Sequence, residues 1–218
     1  MRRYVLEADR LQSLFDTLHL AGYATVGPTL RDETIVYDRI ESVADLPQGW
    51  IDIQEAGSYA LQNTGSHRYF DQTVGPHARR RFHRPPREEL WSAERESDGI
   101  EFSTPPLPTE QLALIGLRSC DISAIGVLDR VLTGQQLSDD RYGTRRSNAF
   151  VISAQCARAG ATCFCASMNT GPRAEAGFDL ALTELDLDGH VFVVEVGSDR
   201  GAEIAASLPL RDIEEATW

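Results

Sequence analysis

The sequence predicts a mixed α/β fold, in which a short parallel crossover forms the core of a mixed sheet and antiparallel strands extend it. Two observations in the second half support this prediction. The uninterrupted apolar runs at residues 112–117 and 149–154 are typical of buried strands. The segment between them has helical periodicity, and a strand, a helix and a strand in this order form a right-handed crossover with parallel strands.

The chain has 218 residues, of which 42% are hydrophobic, so it can build a substantial core. We divide it into an N-terminal helix and hairpin region at residues 1–66 and an α/β region at residues 67–218, although the two can form one continuous domain. Helical spacing predicts an opening helix over residues 5–20. Alternating stretches predict a hairpin that pairs residues 24–28 with 34–38.

In the second half, Asp121 is a suitable N-cap for a helix over residues 122–132. A polar helix over residues 138–147 leads into the second buried strand. Three further elements complete the prediction: strand 178–183, strand 190–196 beyond the turn at Asp188-Gly189, and a helix over residues 199–206.

The middle of the chain, residues 67–108, is rich in arginine, and Pro85-Pro86 excludes a continuous helix there. We expect a long ordered excursion. Its basic run is either a solvated loop or a surface that docks to an acidic partner. The run consists of Arg79, Arg80, Arg81, Arg84 and Arg87.

The charge of the chain excludes several classes of function. The net charge of −12 argues against binding to nucleic acid, which requires a basic face. The chain contains no lysine, so chemistry that depends on a lysine is excluded. The N-terminus lacks the apolar segment of a signal peptide, and no apolar run is long enough to cross a membrane. We therefore expect a cytoplasmic protein with reduced thiols.

All four cysteines of the chain are candidates for one binding site. Three of them fall within residues 156–165, and the fourth follows the first predicted parallel strand. Because neighbouring parallel strands end at the same edge of a sheet, Cys120 and Cys156 are expected where open α/β sheets bind ligands. The four candidates are Cys120, Cys156, Cys163 and Cys165.

Four thiolates are the ligand set of a cubane iron–sulfur cluster or of a structural zinc ion. The spacing C-x6-C-x-C differs from zinc knuckles, which place about two to four residues between paired ligands, and thiolates spread along a loop suit several irons. Arg118 and Arg158 can offset the negative charge of a thiolate-bound cluster. Zinc stays open as the competing metal.

Two other roles for the cysteines are weaker. Disulfides are disfavoured in the cytoplasm, and a bridge within C-x-C would be strained. A catalytic cysteine would need a histidine partner. His67, His77 and His83 all lie in the arginine-rich excursion, where the sequence does not define their geometry.

Several strings of the sequence resemble the beta subunit of cytoplasmic nickel–iron hydrogenases of the sulfhydrogenase type. They are GPHARRRFHRPPREELW, LIGLRSCDISAIGVLDRVLTG, RYGTRRSNAFVISAQC, ATCFCASMNTGP, GFDLALTELD and VEVGSDRG, in this order. The same block is similar to the A subunit of anaerobic sulfite reductase. The resemblance covers about residues 70–218.

The resemblance implies one 4Fe-4S cluster on the four cysteines. It also implies that the chain relays electrons between a flavin subunit that uses NAD(P)H and a hydrogenase small subunit, or a sulfur or sulfite reductase subunit, rather than acting as a catalyst alone. Ser119 stands where the family usually has a proline, and we expect this change only to relax the backbone before Cys120. The ferredoxin-like C-terminal region of the family is not part of this sequence, so we expect a fragment or a shortened member.

Two alternative functions stay open on the sequence: a flavin- or nucleotide-using reductase subunit, and a zinc-stabilised interaction domain. The segment Gly197-Ser198-Asp199-Arg200-Gly201 precedes a predicted helix, as phosphate-binding turns do. It lacks the G-x-G-x-x-G spacing, however, and we predict that it serves as a helix cap.

Overall fold

The structure is a computed structural model, which describes residues 2–75, 79–97, 99–134, 138–186 and 189–213. The strands are β1 (Arg3–Glu7), β2 (Ala24–Arg31), β3 (Thr34–Arg39), β4 (Trp50–Glu55), β5 (Ser58–Asn63), β6 (Ser92–Arg95), β7 (Ile100–Ser103), β8 (Leu112–Leu117), β9 (Ala149–Ala154), β10 (Leu180–Asp186), β11 (His190–Val196) and β12 (Arg211–Asp212). The helices are α1 (Gln12–Leu20), α2 (Arg80–His83), α3 (Ser119–Leu132), α4 (Asp140–Asn148) and α5 (Asp199–Ala206).

An eight-stranded mixed sheet organises the chain, with the strand order β12-β1-β11-β10-β9-β8-β2-β3. The central neighbours β2, β8, β9 and β10 pair in parallel, and the outer strands pair antiparallel. Strands β8 and β9 are almost entirely buried, as their apolar runs predict. The predicted mixed α/β fold with a parallel crossover core is thus confirmed.

The prediction of one helix over residues 5–20 is wrong at its start. Residues 3–7 form β1, a 3-10 turn covers Ala8–Arg10, and α1 begins only at Gln12. The reason lies in tertiary structure, because β1 pairs antiparallel with β11 and places Val5 opposite Val193. Leu6 is buried in the core by this pairing, so its apolar character serves a strand rather than a helix.

The predicted hairpin of residues 24–28 and 34–38 is confirmed as β2 and β3, which pair antiparallel. The segment at residues 50–65, which the sequence left as a strand plus loop, is the two-stranded hairpin β4–β5. A second hairpin, β6–β7, and the short helix α2 lie in the middle excursion. Because β1, β2 and β3 belong to the main sheet, residues 1–66 contribute to the same sheet as the second half. The division at residue 66 stays a prediction.

The crossover between β8 and β9 contains α3 and α4. Helix α3 begins at Ser119, earlier than predicted, so Asp121 is not its N-cap. Instead, the Asp121 carboxylate lies in the first turn and accepts a hydrogen bond from the Arg118 backbone amide at 3.0 Å. Strand β10 begins later than predicted, and the predicted turn residue Asp188 lies outside the described residues.

Helix α5 has the predicted bounds. Among the described residues, no helix combines the length and the apolar character that a membrane crossing requires.

Candidate metal centre

The structure brings the four predicted cysteines together at one cavity of about 420 Å³. Cys120 is the second residue of α3, just after β8, and Cys156 follows the end of β9 by two positions. These two lie at the carboxyl ends of neighbouring parallel strands, as the sequence predicts. Cys163 and Cys165 reach the cavity from the loop that follows, and all four carry free thiols.

The loop at residues 155–179 contains no helix or strand, and local hydrogen bonds shape it. The backbone amide of Gly160 donates to the Cys163 sulfur at 3.3 Å. From the first turn of α3, the Ser119 hydroxyl donates to the Thr170 carbonyl at 2.5 Å. A proline could not make this bond, so Ser119 connects the helix to the loop, which is more than the relaxed backbone that the sequence predicts.

A buried carboxylate on the β4–β5 hairpin holds the cysteine loop from the other side. Asp52 is 1% exposed, and it accepts hydrogen bonds from the Thr73 amide and from Gln54 Nε2, each at 2.6 Å. Arg158 pairs with the Asp52 carboxylate at 3.4 Å and donates to the Asp52 carbonyl at 2.7 Å. Gln54 Oε1 also accepts from the Thr162 hydroxyl at 3.1 Å. The hairpin is therefore bonded to the loop that carries the thiols.

Sequence reasoning missed Asp52 and Gln54. Strand β4 has the sequence WIDIQE, and its alternation indicates apolar residues inside and Asp52 outside. The structure has the opposite arrangement, with Asp52 buried and Ile53 43% exposed. The local signal was therefore misleading, because the face of β4 that carries Asp52 packs on a polar loop rather than on an apolar core.

Arg118 lines the cavity with a buried side chain. Its side chain is almost fully buried, and its guanidinium donates to the carbonyls of Ala154 and Gln155 at 3.1 Å each. It also donates to the carbonyls of Phe70 and Gln72, at 2.8 and 2.6 Å. These bonds join the end of β9, the end of β8 and the segment at residues 70–72 around one side chain.

The arginines of the basic run, which the sequence predicts as a solvated loop or a docking surface, differ in their exposure to solvent. Arg79 is 5% exposed, and its Nη1 pairs with Asp121 Oδ1 at 3.1 Å, beside the cysteine cavity. Arg81 pairs with Asp38 at 2.8 Å on the surface. The prediction is wrong for Arg79, because a buried carboxylate 42 positions away provides its partner. The other exposed members are Arg80, Arg84 and Arg87.

No histidine lines the cysteine cavity in the described part of the chain. His83 is buried elsewhere, and burial together with the Arg79 charge lowers its pKa to about 4. His67 lines a separate cavity with Tyr69 and His190. His77 lies outside the described residues. The pairing of a cysteine with a histidine therefore gains no support from His67 or His83.

The environment of the cavity favours protonated thiols when no metal is bound. Burial, followed by the Asp121 carboxylate and the sulfurs of Cys156 and Cys165, raises the pKa of Cys120 from 9.0 to about 11. Burial also raises the pKa of Cys156, and the positive charge of Arg118 opposes that rise. Metal binding at these thiols must therefore release protons.

The sulfurs share a cavity without converging on one point. Across the described residues, no group of three or more His, Cys, Asp and Glu side chains is placed so that it could hold a metal ion. The wall of the cavity is mostly apolar, and Val74 and Phe164 contribute to it.

The turn at residues 197–201 is a helix cap, as predicted. Ser198 is the N-cap of α5, and its hydroxyl accepts a hydrogen bond from the Gly201 amide at 3.0 Å. The same hydroxyl donates to the Asp179 carboxylate at 2.6 Å, and Arg200 pairs with that carboxylate at 3.3 Å. Asp179 thus takes the place beside the helix N-terminus that a phosphate would need.

Comparison with known proteins gives one similarity. No protein-family model matches the chain, and no solved structure matches it. Over 93 residues the chain is 41% identical to the sulfhydrogenase 2 subunit beta of Pyrococcus furiosus. The alignment covers 43% of this chain and 26% of that subunit. Part of this chain is therefore similar to a sulfhydrogenase beta subunit, and it spans about a quarter of that relative's length.

Proposed function

We propose that this chain is an iron–sulfur electron-transfer component of a larger redox enzyme, and that Cys120, Cys156, Cys163 and Cys165 hold one 4Fe-4S cluster. The observation that carries the proposal is the shared cavity, because all the cysteines of the chain line it. Four thiolates are the complete ligand set of such a cluster.

The size and lining of the cavity support a cluster over a single zinc ion. Zinc with four thiolates at about 2.3 Å requires sulfurs only about 3.8 Å apart. The four thiols here line a cavity of about 420 Å³, which is far larger than a single zinc ion needs. A cluster of four irons needs ligands that are farther apart than those of one zinc ion, and the mostly apolar wall of the cavity would influence its reduction potential.

The residues around the cavity have separate tasks in this proposal. The four thiolates bind the cluster, which would supply one-electron transfer. Asp52 and Arg158 keep the cysteine loop against the β4–β5 hairpin. Ser119 connects the same loop to α3 through the Thr170 carbonyl. Together these contacts reduce the freedom of the loop before the metal arrives, and so lower the entropic cost of binding.

We further propose that the chain works with other subunits. The similar protein from Pyrococcus furiosus is named as the beta subunit of a sulfhydrogenase. By analogy, the partners of this chain would be a flavin subunit that uses NAD(P)H and the catalytic subunit of a hydrogenase or of a sulfur or sulfite reductase. Among the described residues no histidine lines the cavity, and the sequence has no fifth cysteine, so one cluster would use all the thiols of the chain.

Anaerobic metal analysis tests the proposal. Protein reconstituted with iron and sulfide should contain about four irons and about four sulfides per chain. The control is Met168→Leu, which changes an exposed side chain of the same loop outside the cavity lining and keeps every thiol, and it should load equally. Protein that holds about one zinc and no sulfide under competition would instead support the zinc-stabilised interaction domain.

A further inference from the structure

Among the described residues, Arg118 is a buried cation without a carboxylate partner. Its side chain is 2% exposed, and its guanidinium donates to four backbone carbonyls. In the described part of the chain no carboxylate lies within 4.0 Å of this guanidinium. Carbonyl oxygens satisfy the hydrogen bonds but carry no net charge, so no contact of the guanidinium in the described residues balances its positive charge.

The other arginines near the cavity differ in this respect. Arg158 pairs with Asp52 at 3.4 Å, and Arg79 pairs with Asp121 at 3.1 Å. A buried charge is costly unless a charge of opposite sign lies nearby. Among the described residues that line the cavity, Arg118 is thus the cation without a carboxylate contact.

We propose that Arg118 balances the negative charge of the cluster and raises its reduction potential. This inference rests on the proposed function. A thiolate-bound cluster is negatively charged, and its reduction adds one electron. A buried cation beside the cluster stabilises the reduced form more than the oxidised form, because the interaction grows with the charge of the cluster. The negative groups that face Arg118 across this cavity are the cysteine sulfurs and the Asp121 carboxylate, which Arg79 already neutralises.

The test separates the charge of Arg118 from its hydrogen bonds. Arg118→Lys keeps the positive charge but loses the planar fork that reaches the carbonyls. Arg118→Gln loses both. The midpoint potential of the reconstituted full chain is measured for both variants and for wild type by dithionite titration, followed by electron paramagnetic resonance. Iron content and melting temperature are recorded for each sample.

For Arg118→Gln we expect the one-electron equilibrium to move about tenfold toward the oxidised form, which corresponds to a potential about 59 mV lower. Arg118→Lys should stay within about twofold of wild type, because the charge is retained. Equal potentials in all three proteins, or equal shifts in both variants, would overturn the proposal and leave Arg118 a purely structural role.

A further variant decides the question if Arg118→Gln does not fold or load. Gln72→Glu keeps Arg118 and its four bonds, and it adds a carboxylate of similar shape on a residue whose carbonyl Arg118 already contacts. Gln72 is 4% exposed, and its side-chain oxygen has no hydrogen-bond partner among the described residues. We expect a lower potential, and an unchanged potential would contradict the inference. A wild-type chain that takes up no iron would refute the proposed function itself, which these potentials do not test.

Discussion

Asp52 and Arg158 form an ion pair at 3.4 Å although they lie 106 positions apart in the chain. The pair joins the β4–β5 hairpin to the cysteine loop, and Asp52 also accepts hydrogen bonds from Thr73 and Gln54. The conformation of the loop therefore depends on residues from both halves of the sequence.

Asp52→Asn should destabilise the protein before any metal binds. The substitution leaves the shape of the side chain but removes the charge that Arg158, Thr73 and Gln54 face in a buried position. We expect a loss of about 2–4 kcal/mol in the free energy of unfolding, measured by urea denaturation of the metal-free chain.

Glu110→Gln is the control for Asp52→Asn. It breaks the Arg39–Glu110 pair, in which both side chains are 51% exposed. An exposed pair contributes little, so its loss should cost less than about 1 kcal/mol. Equal costs for the two variants would show that the Asp52 network is no stronger than a surface pair.

The sequence predicted those parts of the fold that local patterns determine. Strands β8 and β9 and helix α5 were predicted with their observed bounds, because a continuous apolar run or a Ser cap is a local signal. The predicted start of the opening helix was wrong, because the apolar side chains within residues 3–7 fit either a helix or a strand. Antiparallel pairing with β11, which is distant in the sequence, makes this segment a strand.

The candidate site was predictable only in part, for the same reason. The crowding of cysteines is visible in the sequence, and the crossover brings Cys120 to them. The burial of Arg79 was not predictable, because a run of arginines ordinarily faces water, and its partner Asp121 is distant in the chain. The buried position of Asp52 was not predictable either, since it contradicts the alternation of β4.

The exposed cysteine offers a clean test of ligand function. Cys163 is exposed, so Cys163→Ala should change the stability of the metal-free chain by less than about 0.5 kcal/mol. We nevertheless expect it to lose most of the iron and the rise in melting temperature that loading gives to wild type, because binding energy adds to folding energy. Full iron content in this variant would remove Cys163 from the ligand set.

The isolated, loaded chain should exchange electrons without turning over a substrate. A cluster with four thiolate ligands has no open coordination position for a substrate. Reduced viologen should therefore be oxidised in about one equivalent per chain, whereas hydrogen, sulfite and NADPH should not be consumed. Cys163→Ala, taken through the same reconstitution, gives the background rate of viologen oxidation without the complete cluster. Sustained turnover of NADPH by the lone chain would favour the flavin- or nucleotide-using alternative.

The metal-free chain should lose stability in alkaline solution, in part through Cys120. Its pKa is raised from 9.0 to about 11 by burial and by Asp121, so the folded state keeps a proton that the unfolded state releases. The contribution is complete below about pH 9 and is lost as the pH rises through about 11. Burial also raises the pKa of Tyr37 and Tyr142, so the informative quantity is the difference between proteins.

Cys120→Ala should flatten this alkaline loss relative to wild type. The measurement is urea denaturation with reductant present, at several pH values across that window. If the two proteins lost stability in parallel, the Cys120 thiol would not be the group that titrates.

Two glycines in helices should respond in opposite directions to the same substitution. Gly201 in α5 lies against the segment that contains Asp179, and a Cβ there would clash with the Asp179 carbonyl oxygen. Asp179 also accepts from the Val151 amide at 2.7 Å, so it connects β9 to α5 and cannot move freely. Gly201→Ala should therefore cost about 2–3 kcal/mol.

Gly126 lies inside α3, and no atom of the described residues would be within 4 Å of an added Cβ. Gly126→Ala should stabilise the chain by about 0.5–1 kcal/mol, because alanine loses less backbone freedom on folding than glycine does. Urea denaturation of both metal-free variants measures the two effects on one scale. Since the chemical change is identical, opposite signs would show that the close packing of α5 on the Asp179 segment sets the outcome. A neutral Gly201→Ala would mean that this segment yields easily and that α5 is not rigidly held at the end of β9.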